Sequence, residues 1–350
     1  MKIIGNKIAL KSISVLLLFV TGLFVFACSD SGEDNIVNVY SHRHYDIDKQ
    51  LFREFTDKTG IQVNVVSASA DELIKKLEIE GLDSPADLLI TVDAGRLHRA
   101  KEKGLLQAIQ SNSLDKNIPL NLRDPEGYWY GLTIRARLLV YSKDRVNPEQ
   151  LSSYDDLTKP NWQGKILCRS SGNIYNQSLL ASMIATQGKQ AAKQWAEKIV
   201  KNFARDPKGN DRDQMKAIAA GIGDVAIVNS YYVGKMITSS IEEERKVAEQ
   251  IGVFFPDQNG RGTHINTSGA GVTASAKHKE NAIQLIEFLS NLETQEKFAE
   301  GNFEYPVNPN AKRSALLESW GEFKADTLNL ALLGKYNREA VMLFDEVGWK

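Results

Sequence analysis

The alternation of apolar and polar residues along residues 35–106 predicts three buried strands, each followed by a helix. Each strand is a short apolar run, as in NIVNVYS, and each helix repeats its apolar residues at helical spacing, as in DKQLFREFTDKTG. The predicted strands are 35–41, 61–68 and 86–93, and the predicted helices are 48–60, 70–81 and 94–106. A series of this kind predicts a parallel sheet that is covered by helices on both faces.

The pattern changes over residues 128–146, where apolar runs follow one another without a helix between them. A second α/β region comes next. Its predicted elements are strands at 164–169 and 224–230, a helix over 177–202 and a charged loop over 207–214. They are followed by a long amphipathic helix at 279–299, a loop at 304–311 and a helical tail.

The N-terminal segment has the organisation of a secretion signal. Lysines precede an apolar stretch over residues 13–27 that is short for a membrane span, although a single anchor helix is the alternative. The stretch VFAC resembles a lipobox, with Phe26 where a small residue is usual. We therefore expect a signal peptide over 1–27, a lipid on Cys28 that holds the chain at a membrane, and a polar tether over 28–36.

Composition adds two restrictions. A chain of 350 residues, 42% hydrophobic and 25% charged, suits a globular protein of about two domains. The formal net charge of -1 gives no sign of a nucleic-acid partner. Apart from Cys28, the sequence has only Cys168, so a lipid on Cys28 would leave no internal disulfide. We expect Cys168 to be a buried strand residue.

Two α/β regions behind a secretion signal and a lipid-type cysteine are typical of solute-binding proteins, in which a cleft between two lobes closes on a small ligand. We therefore predict an α/β fold with two lobes joined by hinge strands around a central cleft. The predicted division is lobe 1 over 37–133 and 265–320, lobe 2 over 134–264, and C-terminal helices over 321–350 that pack on the lobes.

Three polar and aromatic motifs come directly after predicted strands, where loops would line such a cleft: SHRHYD (41–46), RSSGNIYNQS (169–178) and NSYYVGK (229–235). A lone tyrosine at a strand end is usually a rim or core residue, and an HxH pair alone is a weak metal signal. The coincidence of several such residues is more informative. The motifs bring one histidine and four tyrosines to the cleft: His44, Tyr45, Tyr175, Tyr231 and Tyr232.

Tyrosine oxygens favour a strongly Lewis-acidic ion, because a phenol with a pKa of about 10 otherwise keeps its proton at neutral pH. Ferric iron is such an ion, whereas zinc prefers His and Cys, and calcium prefers carboxylates and carbonyls. Four tyrosinates and a neutral histidine around Fe³⁺ leave one negative charge, which one arginine would balance without a separate anion. Ferrous iron would leave the site more negative unless some tyrosines kept their protons. The candidate charge partners are Arg43, Arg169 and Arg212.

The sequence resembles the ferric-iron-binding proteins of bacterial ABC importers, in their tyrosine-rich, anion-independent, FutA-like type. The resemblance covers residues 37–350 and rests on five motifs: VYSHRHYD, CRSSGNIYNQSLLASMI, GNDRDQMKAI, VNSYYVGK and EYPVNP. It implies a class II periplasmic-binding-protein fold. It also implies that His44, Tyr45, Tyr175, Tyr231 and Tyr232 are the iron ligands. His42 stays open between a spare ligand, a donor to a ligand and a solvated residue.

The resemblance further implies the setting in which the protein works. We expect a monomer that is not an enzyme and has no organic cofactor. It would be held by its lipid at the periplasmic side of a membrane or at the cell surface, and would deliver iron to the permease and ATPase subunits of an ABC importer.

Two other functions remain as alternatives at this point. The first is a binding protein for an oxyanion or another small anion, which the arginines and the SSGN and TSGAG turns would hold. The second is a metal-dependent hydrolase that uses His42 and His44. The sequence contains no HExxH, GxSxG or paired-carboxylate motif that would support such an enzyme.

Overall fold

The computed structural model describes residues 35–350. The signal peptide over 1–27, the lipid on Cys28 and the tether up to residue 34 lie outside the described residues. Among the residues that are described, no helix combines the length and the apolar character that crossing a bilayer requires.

A mixed sheet forms the centre of the described chain. Its strands run in the order β2-β1-β3-β8-β4-β6-β5, and β7 and β9 also pair with β4. The strands are Ile36–Ser41 (β1), Gln62–Ser67 (β2), Leu88–Val92 (β3), Tyr130–Ser142 (β4), Ile166–Leu167 (β5), Val225–Asn229 (β6), Ile251–Phe254 (β7), Ile265–Val272 (β8) and Tyr305–Pro306 (β9).

Helices cover this sheet. The α-helices are Asp46–Thr59 (α1), Ala70–Glu80 (α2), Ala94–Glu102 (α3), Asn112–Asn117 (α4), Ile174–Gln187 (α5), Lys189–Lys201 (α6), Asp211–Ala219 (α7), Ser230–Ile237 (α8), Glu242–Gln250 (α9), Lys279–Ser290 (α10), Leu292–Asn302 (α11), Ala315–Ser319 (α12), Ala331–Lys335 (α13) and Asn337–Val347 (α14). Short 3₁₀ turns lie at Gly81–Asp83, Leu120–Leu122, Pro148–Gln150, Tyr154–Thr158 and Pro160–Trp162.

Parallel pairing is confined to the ends of the sheet. β1 pairs in parallel with β2 and β3, as the β-α-β pattern predicts, and β5 pairs in parallel with β6. The long strands β4 and β8 are antiparallel to their neighbours. Residues up to Ala136 of β4 pair with β8, and residues from Arg137 onward pair with β6. One continuous strand therefore passes from one half of the two-lobe α/β fold to the other.

Two predicted helices are each divided in two. The predicted helix over 177–202 is α5 followed by α6, with Gly188 between them at φ +88°, a left-handed conformation that ends the first helix. The predicted helix over 279–299 is α10 followed by α11, and Asn291 separates them. The Asn291 side chain accepts a hydrogen bond from the Thr294 N–H at 2.9 Å and so starts a new helix.

The C-terminal segment packs on both halves of the fold. α13 packs against α3 and α5, and α14 packs against α5 and α6. The aromatic end of the chain is buried, with Phe344 and Trp349 in the same core as Leu179 and Leu180 of α5. The lobe boundaries at residues 133/134 and 264/265, and the separate tail from 321, stay predictions.

Cys168 lies one residue after β5 and is buried, as predicted. Burial raises the pKa of its thiol, so the thiolate is disfavoured. Cys168 is therefore a core residue of this half of the fold.

Candidate functional site

The segment after β1 is held by a buried carboxylate. Asp48, in the first turn of α1, accepts a hydrogen bond from the Tyr45 backbone N–H at 3.1 Å and another from Arg43 Nε at 3.0 Å. Arg43 is itself buried and donates from Nη1 to Glu304 at 2.9 Å. These bonds fix the turn that starts α1 and set the place from which the Tyr45 side chain leaves the backbone.

His44 is exposed, and its ring packs against the Tyr45 ring with centroids 5.6 Å apart. Its Nδ1 lies 3.2 Å from the backbone carbonyl oxygen of His42. Because a carbonyl can only accept, this contact requires the proton on Nδ1 and leaves the lone pair of Nε2 available. His42 thus contributes its backbone to the orientation of His44.

The His42 side chain has a different environment. It is partly buried, and Nδ1 has no hydrogen-bond partner among residues 35–350. Burial, together with the nearby Arg96, lowers the pKa of His42 to about 4, so its ring is neutral at physiological pH. Among the described residues, the backbone carbonyl of His42 contacts His44, whereas the ring Nδ1 of His42 has no hydrogen-bond partner.

Tyr175 lies in the first turn of α5, directly after the loop that follows β5. The side chain of Asn173 accepts a hydrogen bond from the Tyr175 N–H at 3.2 Å and caps the helix there. The cap explains the SSGN sequence as the entry to a helix. Tyr175 is buried, and its hydroxyl lies 3.5 Å from that of Tyr231.

Tyr231 and Tyr232 lie on a helix and not in a loop. α8 begins at Ser230, immediately after β6, and carries both tyrosines in its first turn. Their rings are 4.1 Å apart between centroids. The Tyr45 ring approaches Tyr231 from the other half of the fold, with the centroids 6.4 Å apart in an edge-to-face arrangement. The structure therefore brings Tyr45, Tyr175, Tyr231 and Tyr232 together, with His44 beside them.

Burial makes the phenols of Tyr45, Tyr231 and Tyr232 hold their protons. It raises the pKa of Tyr45 to about 12, with nearby Glu304 adding to the effect. Burial, reinforced by the other tyrosines, also raises the pKa of Tyr231 and that of Tyr232. A cluster of hydroxyls in this state binds a metal only if the ion replaces the protons, which selects for a strongly Lewis-acidic cation.

Cations surround the tyrosines. The guanidiniums of Arg135, Arg137 and Arg169 lie 5.3, 5.9 and 5.6 Å from the Tyr175 ring centroid. On the other side, Lys235 Nζ lies 3.7 Å from the Tyr45 centroid and 5.7 Å from that of Tyr231. These contacts favour negative charge on the phenol oxygens.

The three predicted charge partners have different positions. Arg169 lies over Tyr175 and donates to Asp211 at 2.7 Å, so it is placed beside the site. Arg43 is 5.1 Å from the Tyr45 centroid, but its hydrogen bonds go to Asp48, Glu304 and nearby hydroxyls, which makes it mainly a support for the turn. Arg212 pairs with Glu244 at 3.6 Å. The charge of Arg212 adds to the burial that lowers the pKa of Lys235, and its role as a charge partner of the tyrosines stays a prediction.

Several charged residues of the site were missed from the sequence. Lys235 follows Tyr231 by four residues, so a helical interpretation of NSYYVGK would have placed both on one face. Arg135 and Arg137 alternate along β4 and are buried in an otherwise apolar strand, which is itself a signal. Asp211 is adjacent to Arg212, which the sequence analysis named as a charge partner. Nothing in the local sequence shows which of the two lies beside the tyrosines.

The residues behind the two alternative functions are arranged differently from what those functions need. TSGAG forms the interior of β8 and is buried, so it is not a turn open to a ligand. His98, His264 and His278 are dispersed over α3, the start of β8 and the start of α10. Among residues 35–350, no three His, Cys, Asp or Glu side chains are grouped as they would be to hold a metal ion.

This two-lobe α/β fold is that of a solute-binding protein, and the chain belongs to that class: residues 83–324 match the family described as bacterial extracellular solute-binding protein. Within the class it belongs with the iron uptake proteins of Synechocystis sp. strain PCC 6803. It is 48% identical to Iron uptake protein A2 over 322 residues, covering 91% of this chain and 92% of the relative. It is 45% identical to Iron uptake protein A1 over 319 residues, covering 91% and 89%.

The solved structures support the same family membership. The structure described as Trichodesmium (IdiA) (FutA) in complex with iron and citrate ligands superimposes with a TM-score of 0.88 at 50% identity. The superposition covers 90% of the present chain and 100% of the Trichodesmium chain. The predicted fold class and the resemblance to the FutA-like proteins are therefore confirmed. The relatives named here are binding and uptake proteins and not enzymes.

Proposed function

We propose that this protein captures ferric iron between its two lobes and delivers it to the permease of an ABC importer. The proposed ligands are Tyr45, Tyr175, Tyr231 and Tyr232 as tyrosinates and His44 through Nε2. The observation that carries the proposal is the convergence of Tyr45, from the segment after β1, with three tyrosines at the starts of α5 and α8.

The charges around the tyrosines support a ferric cargo. Arg43 is paired with Asp48 and Glu304, and Arg137 and Arg169 share Asp211. Arg135 lies 3.9 Å from Glu304. Lys235 has no carboxylate within salt-bridge distance among the described residues. The cations therefore exceed the paired carboxylates. That excess offsets the negative charge of Fe³⁺ with four tyrosinates and a neutral histidine, so the shell needs no further anion for charge balance.

The division of the ligands between the two halves gives a mechanism for closure. Iron held by Tyr175, Tyr231 and Tyr232 would attract His44 and Tyr45 only when the halves approach each other, so it binds the closed state more tightly. β4 and β8, which connect the halves, are the proposed hinge strands. Opening at the permease, protonation of the tyrosines or reduction to Fe²⁺ would weaken the shell and release the ion.

The same proposal includes the setting of the protein. Membership of an extracellular solute-binding family with iron uptake relatives implies partner permease and ATPase subunits. We infer that the chain is a monomer without enzymatic activity and that a lipid on Cys28 holds it at the membrane. The small-anion alternative is less well supported, because the arginines that would hold the anion already have carboxylate partners.

A visible spectrum tests the proposal. Iron-free protein mixed with ferric iron in a weak chelator should develop a tyrosinate-to-iron charge-transfer band. The band should be lost in the Tyr231→Phe/Tyr232→Phe double variant and retained in Tyr336→Phe, a matched change on a partly buried tyrosine of the C-terminal segment. A colourless wild-type protein, or a band that survives the double change, would contradict the proposal.

A further inference from the structure

Asp211 has an unusual environment for a carboxylate. It is the first residue of α7 and is fully buried. Its Oδ1 accepts hydrogen bonds from Arg137 Nη1 and from the Asn229 backbone N–H, both at 2.8 Å, and its Oδ2 accepts from Arg169 Nη1 at 2.7 Å. Two guanidiniums and one backbone N–H therefore surround a single carboxylate.

Each of these partners contacts a tyrosine of the site or lies next to one along the chain. The guanidiniums of Arg137 and Arg169 lie over the Tyr175 ring, and Arg137 Nη2 also donates to Asn176, the next residue of α5, at 2.7 Å. Asn229 ends β6, immediately before the helix that carries Tyr231 and Tyr232. One carboxylate thus links β4, the entry to α5 and the entry to α8.

The arrangement is that of a receptor for a small oxyanion. Guanidiniums and backbone N–H groups are the donors that proteins use for phosphate and carboxylate. This group of donors also contains unused ones. Three buried nitrogens have no acceptor among the described residues: Arg137 Nε, Arg169 Nε and Asn229 Nδ2. Here the chain's own carboxylate occupies the position that a free anion would take.

We propose that Asp211 is a built-in counter-anion, which positions Arg137 and Arg169 behind Tyr175 and makes iron capture independent of a free oxyanion at this position. The inference rests on the proposed function, since it concerns the same tyrosines. Removing the carboxylate leaves the buried guanidinium of Arg137 and the partly buried guanidinium of Arg169 without their anion, which is costly. They would recruit a small oxyanion from solution or repel the iron.

The first test uses iron-free protein and inorganic phosphate. Asp211→Ala should bind one equivalent of phosphate in a calorimetric titration, whereas wild-type protein and Asp213→Asn should bind none. Asp213 is a matched control because it lies in the same helical turn, but its side chain only completes the capping box of α7 by accepting from the backbone N–H of the N-cap residue Asn210 at 2.8 Å. If Asp211→Ala does not fold, Asp211→Asn takes its place, since it keeps the side-chain shape and removes the charge. No phosphate uptake by either variant would overturn the inference.

The second test measures iron affinity by chelator competition in buffer without phosphate or citrate. The Asp211 variants should bind iron about 5- to 150-fold more weakly than wild type, the range usual for coupled sites, and phosphate should restore the affinity. Wild-type and Asp213→Asn proteins should not respond to phosphate. Affinity that is unchanged without phosphate, or lost and not restored by it, would overturn the inference. If the wild-type protein binds no iron, the proposed function fails, and the phosphate titration still decides the role of Asp211.

Discussion

The ammonium group of Lys235, on α8, lies 3.7 Å from the centre of the Tyr45 ring, on the segment after β1. It also faces Tyr231 at 5.7 Å. Burial lowers the pKa of Lys235 to about 8, so the lysine remains mostly charged at neutral pH. One cation therefore touches aromatic rings from both halves of the fold, at the point where the two halves meet around the tyrosines.

We predict that Lys235→Ala weakens iron retention. The change removes a cation that stabilises negative charge on Tyr45 and Tyr231, and cation–π contacts contribute about 0.5 to 2 kcal/mol, or roughly 2- to 30-fold in affinity. Chelator competition measures the effect, with Lys246→Ala as the control because Lys246 is a surface lysine paired with Glu242 on α9. Equal losses in both variants would show that the Lys235 contact has no special role.

The parts of the site that sequence could predict are those set by chain order. Tyr45, Tyr175 and the Tyr231–Tyr232 pair follow strands, and strand ends at one edge of a sheet meet in space. Helix boundaries were harder, because Gly188 and Asn291 each end one helix and begin another within a run of helical periodicity. Lys235 was missed because NSYYVGK was interpreted as a loop after a strand.

The ionic supports of the site could not be predicted because their partners are distant in sequence. Arg137 reaches Asp211 across 74 positions, and Arg43 reaches Glu304 across 261. Local periodicity carries no information about such pairs. The sequence shows only that charged residues interrupt apolar strands, so their roles depend on a tertiary arrangement that brings the carboxylates to them.

Iron affinity should fall steeply as the pH decreases. Burial raises the pKa of Tyr45 to about 12 and raises that of Tyr231 and Tyr232, so these hydroxyls are protonated in the iron-free protein near neutral pH. Each proton that iron displaces should change the affinity about tenfold per pH unit, with tighter binding at higher pH. Competition against a chelator of known protonation behaviour at several pH values measures the slope.

The same titration on Tyr232→Phe provides the comparison. Removing one phenol should reduce the slope by about one proton, whereas Tyr336→Phe should leave it unchanged. A slope that is identical in all three proteins would show that Tyr232 does not exchange its proton for iron.

Arg43 should matter more for folding than for iron. Its guanidinium is buried between Asp48 and Glu304, each at 2.9 Å. Arg43→Met leaves Asp48 without its cation and Glu304 with only Arg135 at 3.9 Å, and breaking a buried pair in this way costs about 3–5 kcal/mol. Denaturant unfolding of iron-free protein measures the loss.

An exposed arginine of α1 supplies the control for that change. Arg53→Met should alter the free energy of unfolding by less than about 0.5 kcal/mol. If Arg43→Met unfolds as late as Arg53→Met but binds iron more weakly, Arg43 acts on the iron shell, as its place in SHRHYD first suggested, and not on the turn.

Asp257→Asn should stabilise the protein at neutral pH but not in mild acid. Asp257 lines a small cavity of about 20 Å³ with Asp155, His264 and Asp326, and it has no side-chain hydrogen bond or ion pair among residues 35–350. Burial, with the negative charge of Asp155, raises its pKa to about 6. A raised carboxyl pKa stabilises the fold fully below the unfolded value of about 3.9, and this stabilisation is lost as the pH rises through 6.

Asp257→Asn removes a negative charge that destabilises the fold only at pH values where the carboxyl is ionised, which is above its raised pKa. Because the side chain is partly exposed, solvent screening limits the gain to about 1 kcal/mol at neutral pH, with little change near pH 4. Asparagine also tolerates the left-handed backbone at this position, where φ is +62°. Denaturant unfolding at both pH values tests the prediction against Asp144→Asn, an exposed control. A gain of the same size at both pH values would mean that the charge of Asp257 is not its cause.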